Sequence, residues 1–277
     1  MVNIMSMLVN IGCGDVYVEG WMNYDYMPHS SHVSQADLLG RLPLSDAQAY
    51  VVYSSHFIEH IPRELVSGFI SECFRITKSG GVLRLVLPDW EELCDTYLSL
   101  RRSGGEQHEK ADFLMLEMLD QCVRRVSGGE LAAYYARLNS EPSEQREMIE
   151  FVRQRTGYDL HAQVRTLPGN RWSRLIKNPK KILNKLEQFY IKGIVSLLPS
   201  TFRQQNVSLT GVGEKHAWMY DFHTIECLLL QAGFKDVRRM SATTSAISDF
   251  PFEPLDVNAN GLPRKGAESM YLEAIKP

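Results

Sequence analysis

Short apolar runs alternate with polar turns through the first 60 residues, and this rhythm predicts the opening strands of a parallel sheet. Strands are expected at 8–11, 22–24, 34–37 and 49–54. The period then changes. From Pro62 to about Thr77 the apolar residues Leu65, Val66, Phe69, Ile70, Cys73 and Phe74 recur at helical spacing, with proline near the start and Gly80-Gly81 past the end. A nearly continuous apolar run at 82–87 predicts a further buried strand. Beyond residue 90 the sheet rhythm is lost. Helical periodicity predicts helices near 106–126, 129–138 and 143–156, and another from Pro179 to Leu198 closed by Pro199. From His216 the strand pattern returns: a helix capped by Asp221 or Thr224 and ended by Gly233, then strands at 236–240 and 270–275.

This order predicts an α/β sheet domain, residues 1–90 and 215–277, interrupted by a helical insertion at 91–214. An insertion of that size exceeds an ordinary loop and is expected to fold as a lid over the strand ends. At 277 residues with 44% hydrophobic content the chain can bury a substantial core. No apolar run is long enough to span a bilayer and the first residues lack a signal-peptide pattern, so a cytoplasmic location is expected. The five cysteines are odd in number and without Cys-x-x-Cys spacing, which indicates neither a disulfide framework nor a zinc knuckle.

Net charge of −3 conceals an asymmetry: residues 165–203 hold nine Lys or Arg and one acid, Glu187. Apolar positions of the 179–198 helix fall on one arc flanked by Lys181, Lys185 and Lys192. The helix is expected to pack on the sheet domain, or else to be a surface helix that rests on anionic lipid or accepts a phosphorylated substrate.

Candidate chemistry starts at Leu8-Val9-Asn10-Ile11-Gly12-Cys13-Gly14. An apolar strand ending at two glycines one residue apart allows a sharp turn and close approach of a ligand to the backbone. The next apolar segment ends in Asp25, placed where a neighbouring strand would offer a carboxylate to a ribose diol. A pyrophosphate-binding dinucleotide site would want a third glycine at Tyr17 and a longer helix than the ten residues between Gly14 and Asp25 permit. The expected ligand therefore carries ribose and adenine without relying on phosphate capture.

With these pieces, Asn10–Gly14, Asn23–Asp25, Ala36–Leu38, Ser54–His60, Lys78–Gly81 and Val86–Asp89, the chain resembles the class I S-adenosylmethionine (SAM) dependent methyltransferases, most closely the small type called methyltransferase domain 11. The resemblance covers residues 8–90, with a weaker echo from about His216. It implies a doubly wound, mostly parallel seven-stranded sheet with an antiparallel last strand. It also implies SAM as cofactor, held by Asn10, Gly12, Cys13, Gly14, Asp25, Tyr26, Asp37, Leu38, Ser54, Ser55 and His56, with Asp25 on the ribose and Asp37 near the adenine.

Methyl transfer from a sulfonium chiefly needs an aligned nucleophile. For a hydroxyl acceptor a base must also take a proton, and His56, His60, Asp89 and His216 are candidates at the rim. His56, Glu59 and His60 share one helical face at i, i+3, i+4, but a single turn without a known fourth ligand is not expected to hold a metal. The acceptor is expected to be a small molecule, sugar or glycan. An RNA methyltransferase, suggested by the basic stretch, or a non-catalytic SAM-binding module are the alternatives; the acidic balance elsewhere argues against nucleic acid. Oligomeric state is not legible.

Overall fold

The computed structural model describes residues 7–105, 107–160, 189–191, 193–211 and 213–277. Seven strands form one sheet: β1 (Met7–Ile11), β2 (Met22–Asp25), β3 (Ser34–Gln35), β4 (Ala49–Ser55), β5 (Thr77–Pro88), β6 (Lys235–Met240) and β7 (Ser269–Ile275). Their order is β3-β2-β1-β4-β5-β7-β6. All neighbours run parallel except β7, which is antiparallel to both β5 and β6. This is the doubly wound sheet with an inverted last strand that the sequence resemblance implies.

Central strands are apolar nearly throughout because both faces are covered. On one face Val9, Ile11, Val52, Leu83 and Leu85 pack with α1 (Val66–Ile76) and α7 (Phe222–Ala232). On the other, Val51, Tyr53, Val82 and Val86 meet Ile247, Phe250 and Leu255 from the segment between β6 and β7. That segment also supplies Asp256, which with Glu273 pairs the fully buried Arg84.

After β5 come α2 (Trp90–Ser103), α3 (Gln107–Val123), α4 (Gly129–Ser140) and α5 (Arg146–Thr156), which close an apolar cluster of their own around Phe113, Leu114, Leu138 and Val152. Helix α2 was not among the expected elements. Its start is set by Asp89, whose side chain accepts the amide of Glu92. A short α6 (Ser200–Asn206) precedes the return to the sheet. Most of the helix expected over 179–198 lies outside the described residues. Within it Phe189, Tyr190 and Leu197 are solvent-exposed. Among the described residues no helix is long and apolar enough to cross a membrane.

Candidate active site

Register decides what stands beside the first glycine turn. Ile11 pairs with Tyr24 on one side and Ser54 on the other, so Gly12 leaves β1 between Asp25 and Ser55. The strand order reverses here, between β1 and β4, and the crevice outside such a reversal is where doubly wound sheets bind ligands. A cleft of about 230 Å³ opens at this point, lined by Asn10, Gly12, Cys13, Gly14, Ser55 and His56 together with Arg264 and Lys265.

The turn is held by its own neighbours. Gly12 and Gly14 adopt φ of 68° and 53°, a region that suits residues without a Cβ. The amides of Gly12 and Cys13 donate to the Tyr24 carbonyl at 2.9 and 3.3 Å. The Gly14 amide donates to Asp25 Oδ2 at 2.8 Å, and the Met27 amide to Oδ1 at 2.9 Å, which fixes the carboxylate against the turn. A Cβ added at Gly14 would meet nothing within 4 Å, so the backbone there is open to a ligand. Cys13 stays a neutral thiol, since burial and the charge of Asp25 push its pKa up to about 12.

The opposite wall suits an amino-acid tail. Asn10 Nδ2 donates to the Val16 carbonyl and to Asn23 Oδ1, shaping the loop, while its buried Oδ1 has no partner. Arg264 donates to Ser55 Oγ at 3.2 Å and to the Leu255 carbonyl at 2.7 Å. Lys265 is beside it, its pKa drawn below the ordinary lysine value by burial and by Arg264. An unpaired acceptor, two cations and a fixed carboxylate next to an open glycine turn fit a nucleoside bearing an ammonium and a carboxylate. SAM has that composition: Asp25 would hold the ribose diol, Arg264 and Lys265 the carboxylate, and Asn10 Oδ1 the ammonium.

Other expected residues are placed differently. Ser54 turns its hydroxyl into the sheet, donating to the Ile11 carbonyl. Leu38 belongs to the apolar core and Tyr26 is exposed. Asp37 closes a local turn by accepting the Leu39 amide at 3.1 Å. Asp89, expected as a base, instead caps α2 and is ion-paired with Arg239, so both oxygens are engaged. Arg264 and Lys265 escaped the sequence reading because they sit in an aperiodic loop before β7.

At the exit of β4 three histidines gather round one acid. His56, with φ of 50°, places Nδ1 3.2 Å from Glu59 Oε1 and Nε2 2.9 Å from Ser269 Oγ. His60 Nδ1 donates to the Lys215 carbonyl at 2.9 Å, and its ring lies 5.0 Å from that of His216. Burial lowers the pKa of His56 despite Glu59, and lowers that of His216 to about 4. Burial by itself would raise Glu59, but His56, followed by the other two imidazoles, holds its carboxyl at about 2. The 215–218 segment that completes this group is stitched down: Ala217 and Trp218 amides donate to the Glu59 carbonyl at 2.7 and 3.2 Å. A second cavity, of about 610 Å³, opens on its far side between His60, Arg63, Glu64, Cys122, Gly213 and Lys215.

Residues 9–85 match the family model described as a methyltransferase domain, a span from β1 into β5. No curated protein matches the chain. Among solved structures, a SAM-dependent methyltransferase from Archaeoglobus fulgidus aligns over 98% of this chain and 86% of its own, at 13% identity and a TM-score of 0.39. The YcgJ protein of Bacillus subtilis aligns over 35% of this chain and 51% of its own, at 17% identity and a TM-score of 0.28. Geranyl diphosphate C-methyltransferase from Streptomyces coelicolor A3(2), solved with Mg2+, geranyl diphosphate and S-adenosyl-L-homocysteine, aligns over 31% of this chain and 40% of its own, at 15% identity and a TM-score of 0.25. The chain thus spans about half or less of the latter two. The match to a methyltransferase domain thus runs over the first five strands of the sheet whose order is set out above.

Proposed function

We propose that the acceptor is a polar small molecule, a sugar or a glycan, received in the cavity between the 60–64 turn and the 211–217 segment. What supports this is the wall of that cavity, where His60, Arg63, Glu64, Lys215 and His216 offer charge and hydrogen bonds to a hydroxyl-rich ligand. His56 lines the donor cleft and His60 lines the second cavity, so the two spaces are joined by one short turn.

Bound SAM supplies a methyl group already activated on a sulfonium. The chain's task is then positioning, which can contribute much of the rate. Asp25 holds the ribose of the donor and Arg264 and Lys265 its carboxylate, and Cys13 contributes shape without a competing thiolate. His60 and His216 form part of the wall against which the acceptor would lie. A peripheral contact of the 179–198 stretch with anionic lipid belongs to the same proposal, since a membrane-linked glycan would be met there.

The test is to incubate the full chain with methyl-labelled SAM and separate pools of small metabolites, glycans and RNA. Label in the small-molecule or glycan pool is expected. Label in RNA alone would replace this reading with an RNA methyltransferase, and tight donor binding without turnover on any pool would leave a non-catalytic SAM module.

A further inference from the structure

We propose that Glu59, His60 and His216, backed by His56, form a binding site for one first-row divalent transition ion of the zinc or manganese type. It lies at the boundary of the donor cleft and the second cavity. One ligand atom from each of Glu59, His60 and His216 lies within 4.8 Å of the others.

Where the hydrogens sit decides what the centre can hold. A carbonyl oxygen only accepts, so the contact of His60 Nδ1 with the Lys215 carbonyl puts a hydrogen on Nδ1. In the neutral ring Nε2 is then a bare lone pair, and it stands 4.0 Å from Glu59 Oε1. The same holds for His56. Ser269 Oγ gives its hydrogen to the Lys265 carbonyl at 3.1 Å, so it accepts from His56 Nε2. Nδ1 of His56 is left bare toward Glu59 Oε1 at 3.2 Å, and out of hydrogen-bond alignment. Glu59 is 1% exposed and neither carboxylate oxygen has a hydrogen-bond partner. With all three imidazoles neutral, the buried anion thus faces bare lone pairs, an arrangement relieved by positive charge at the centre, whether a proton on His56 or a metal ion bridging the ligand atoms.

An ion making bonds of about 2.1 Å would bridge Glu59 Oε1 and His60 Nε2, 4.0 Å apart, and the set of three, spread over as much as 4.8 Å, would close by a few tenths of an ångström around it. Imidazoles with one carboxylate suit zinc, manganese or iron better than calcium or magnesium, which prefer all-oxygen shells. The backbone carbonyl behind His60 is the partner that commonly orients a metal-bound imidazole. Preorganisation is also present, because the His216 amide donates to the Gln121 carbonyl at 2.9 Å while Glu59 holds residues 217 and 218. The expectation of no metal weighed one helical turn alone, and the fold brings His216 to it from the far end of the insertion. Since His60 and His216 line the second cavity, the ion's open position faces the acceptor. That last point rests on the function proposed above; the binding of the ion does not.

The full chain, stripped by chelation, is titrated calorimetrically with Zn2+ alone and with Mn2+ alone. One saturable ion per chain is expected, weakened on the order of tenfold or more by His216→Ala and by Glu59→Gln, with SAM binding retained by His216→Ala. Co2+ absorption of the wild-type chain is expected to report nitrogen and oxygen donors, and this reading stands even where a variant fails to fold. Absence of a saturable ion in the wild type, affinity unchanged by His216→Ala, or a thiolate charge-transfer band implicating Cys122 would overturn the inference. A chain that binds the ion yet methylates none of the acceptor pools would overturn the proposed function and leave the metal site standing.

Discussion

Asp25 and Asp89 are the same residue type at the same kind of place, the end of a parallel strand, and the structure uses them differently. Asp25 faces a glycine turn whose amide it accepts on one oxygen while the Met27 amide meets the other, so it stands against the turn that lines the cleft. Asp89 faces the first turn of a helix and an arginine, which consume it. The place of Asp25 beside the turn was legible because the glycines precede it by a fixed short distance. The role of Asp89 was not, because Arg239 comes from a strand far along the chain. Arg264 and Lys265 were illegible for a related reason: a loop has no period, and only folding shows which cleft it enters. Asp25→Ala removes a charge-assisted hydrogen bond of about 1.5–3 kcal/mol. SAM affinity is expected to fall roughly 10- to 100-fold by calorimetry, while thermal stability changes little because the carboxylate is at the surface of the turn. Unchanged affinity would mean that the ribose is held elsewhere.

Among the elements, those with a strong period were legible, the strands β1, β4 and β7 to within a residue at each end and the helices α1 and α5 with starts three or four residues later than expected. Helix α2 was missed although Asp89 and Glu92 form its start, since the residues before it read as the end of a strand. What no pattern could reveal is the seam between the insertion and the sheet. There the amides of Ala267 and Glu268 donate to the carbonyls of Gln154 and Arg155 at the end of α5, at 3.0 and 3.2 Å. Beneath that seam Glu117 of α3 meets Glu268, both buried. Burial pushes Glu117 up to about 7, and burial together with Glu117 raises Glu268 well above the ordinary carboxylate range, against the pull of Arg155. The folded state therefore keeps a proton that the unfolded chain has already released above its normal carboxylate pKa. Stability contributed by this pair is full below the ordinary carboxylate pKa of 4.5 and is lost as pH rises from there through about 7. The expected slope is at most about 1.4 kcal/mol per pH unit for one proton. Glu117→Gln should flatten it and raise the melting temperature at pH 8 relative to the wild type. Urea unfolding at several pH values measures both, and parallel profiles would show that the pair stays ionised.

At the scale of the whole molecule the charge is divided: a stretch from 165 to 203 rich in lysine and arginine on a chain that is otherwise acidic. An acidic body is repelled by anionic surfaces, so any attraction to them must come through that one stretch. Within it, the described side chains of Phe189, Tyr190 and Leu197 are 79%, 68% and 85% exposed. Large apolar groups exposed beside lysines are the combination that inserts shallowly into a charged interface, the cations drawing the helix in and the apolar residues retaining it. The chain is thus expected to float with vesicles containing an anionic phospholipid, and to stay in solution with neutral vesicles or at high salt, where screening shortens the reach of the charges. Phe189→Glu combined with Leu197→Glu should abolish flotation while leaving SAM affinity intact, because neither residue lines the donor cleft. Equal recovery with neutral and anionic vesicles, or none with either, would instead mean that this stretch does not meet anionic lipid, and the polar cavity beside His60 would then receive its acceptor from water.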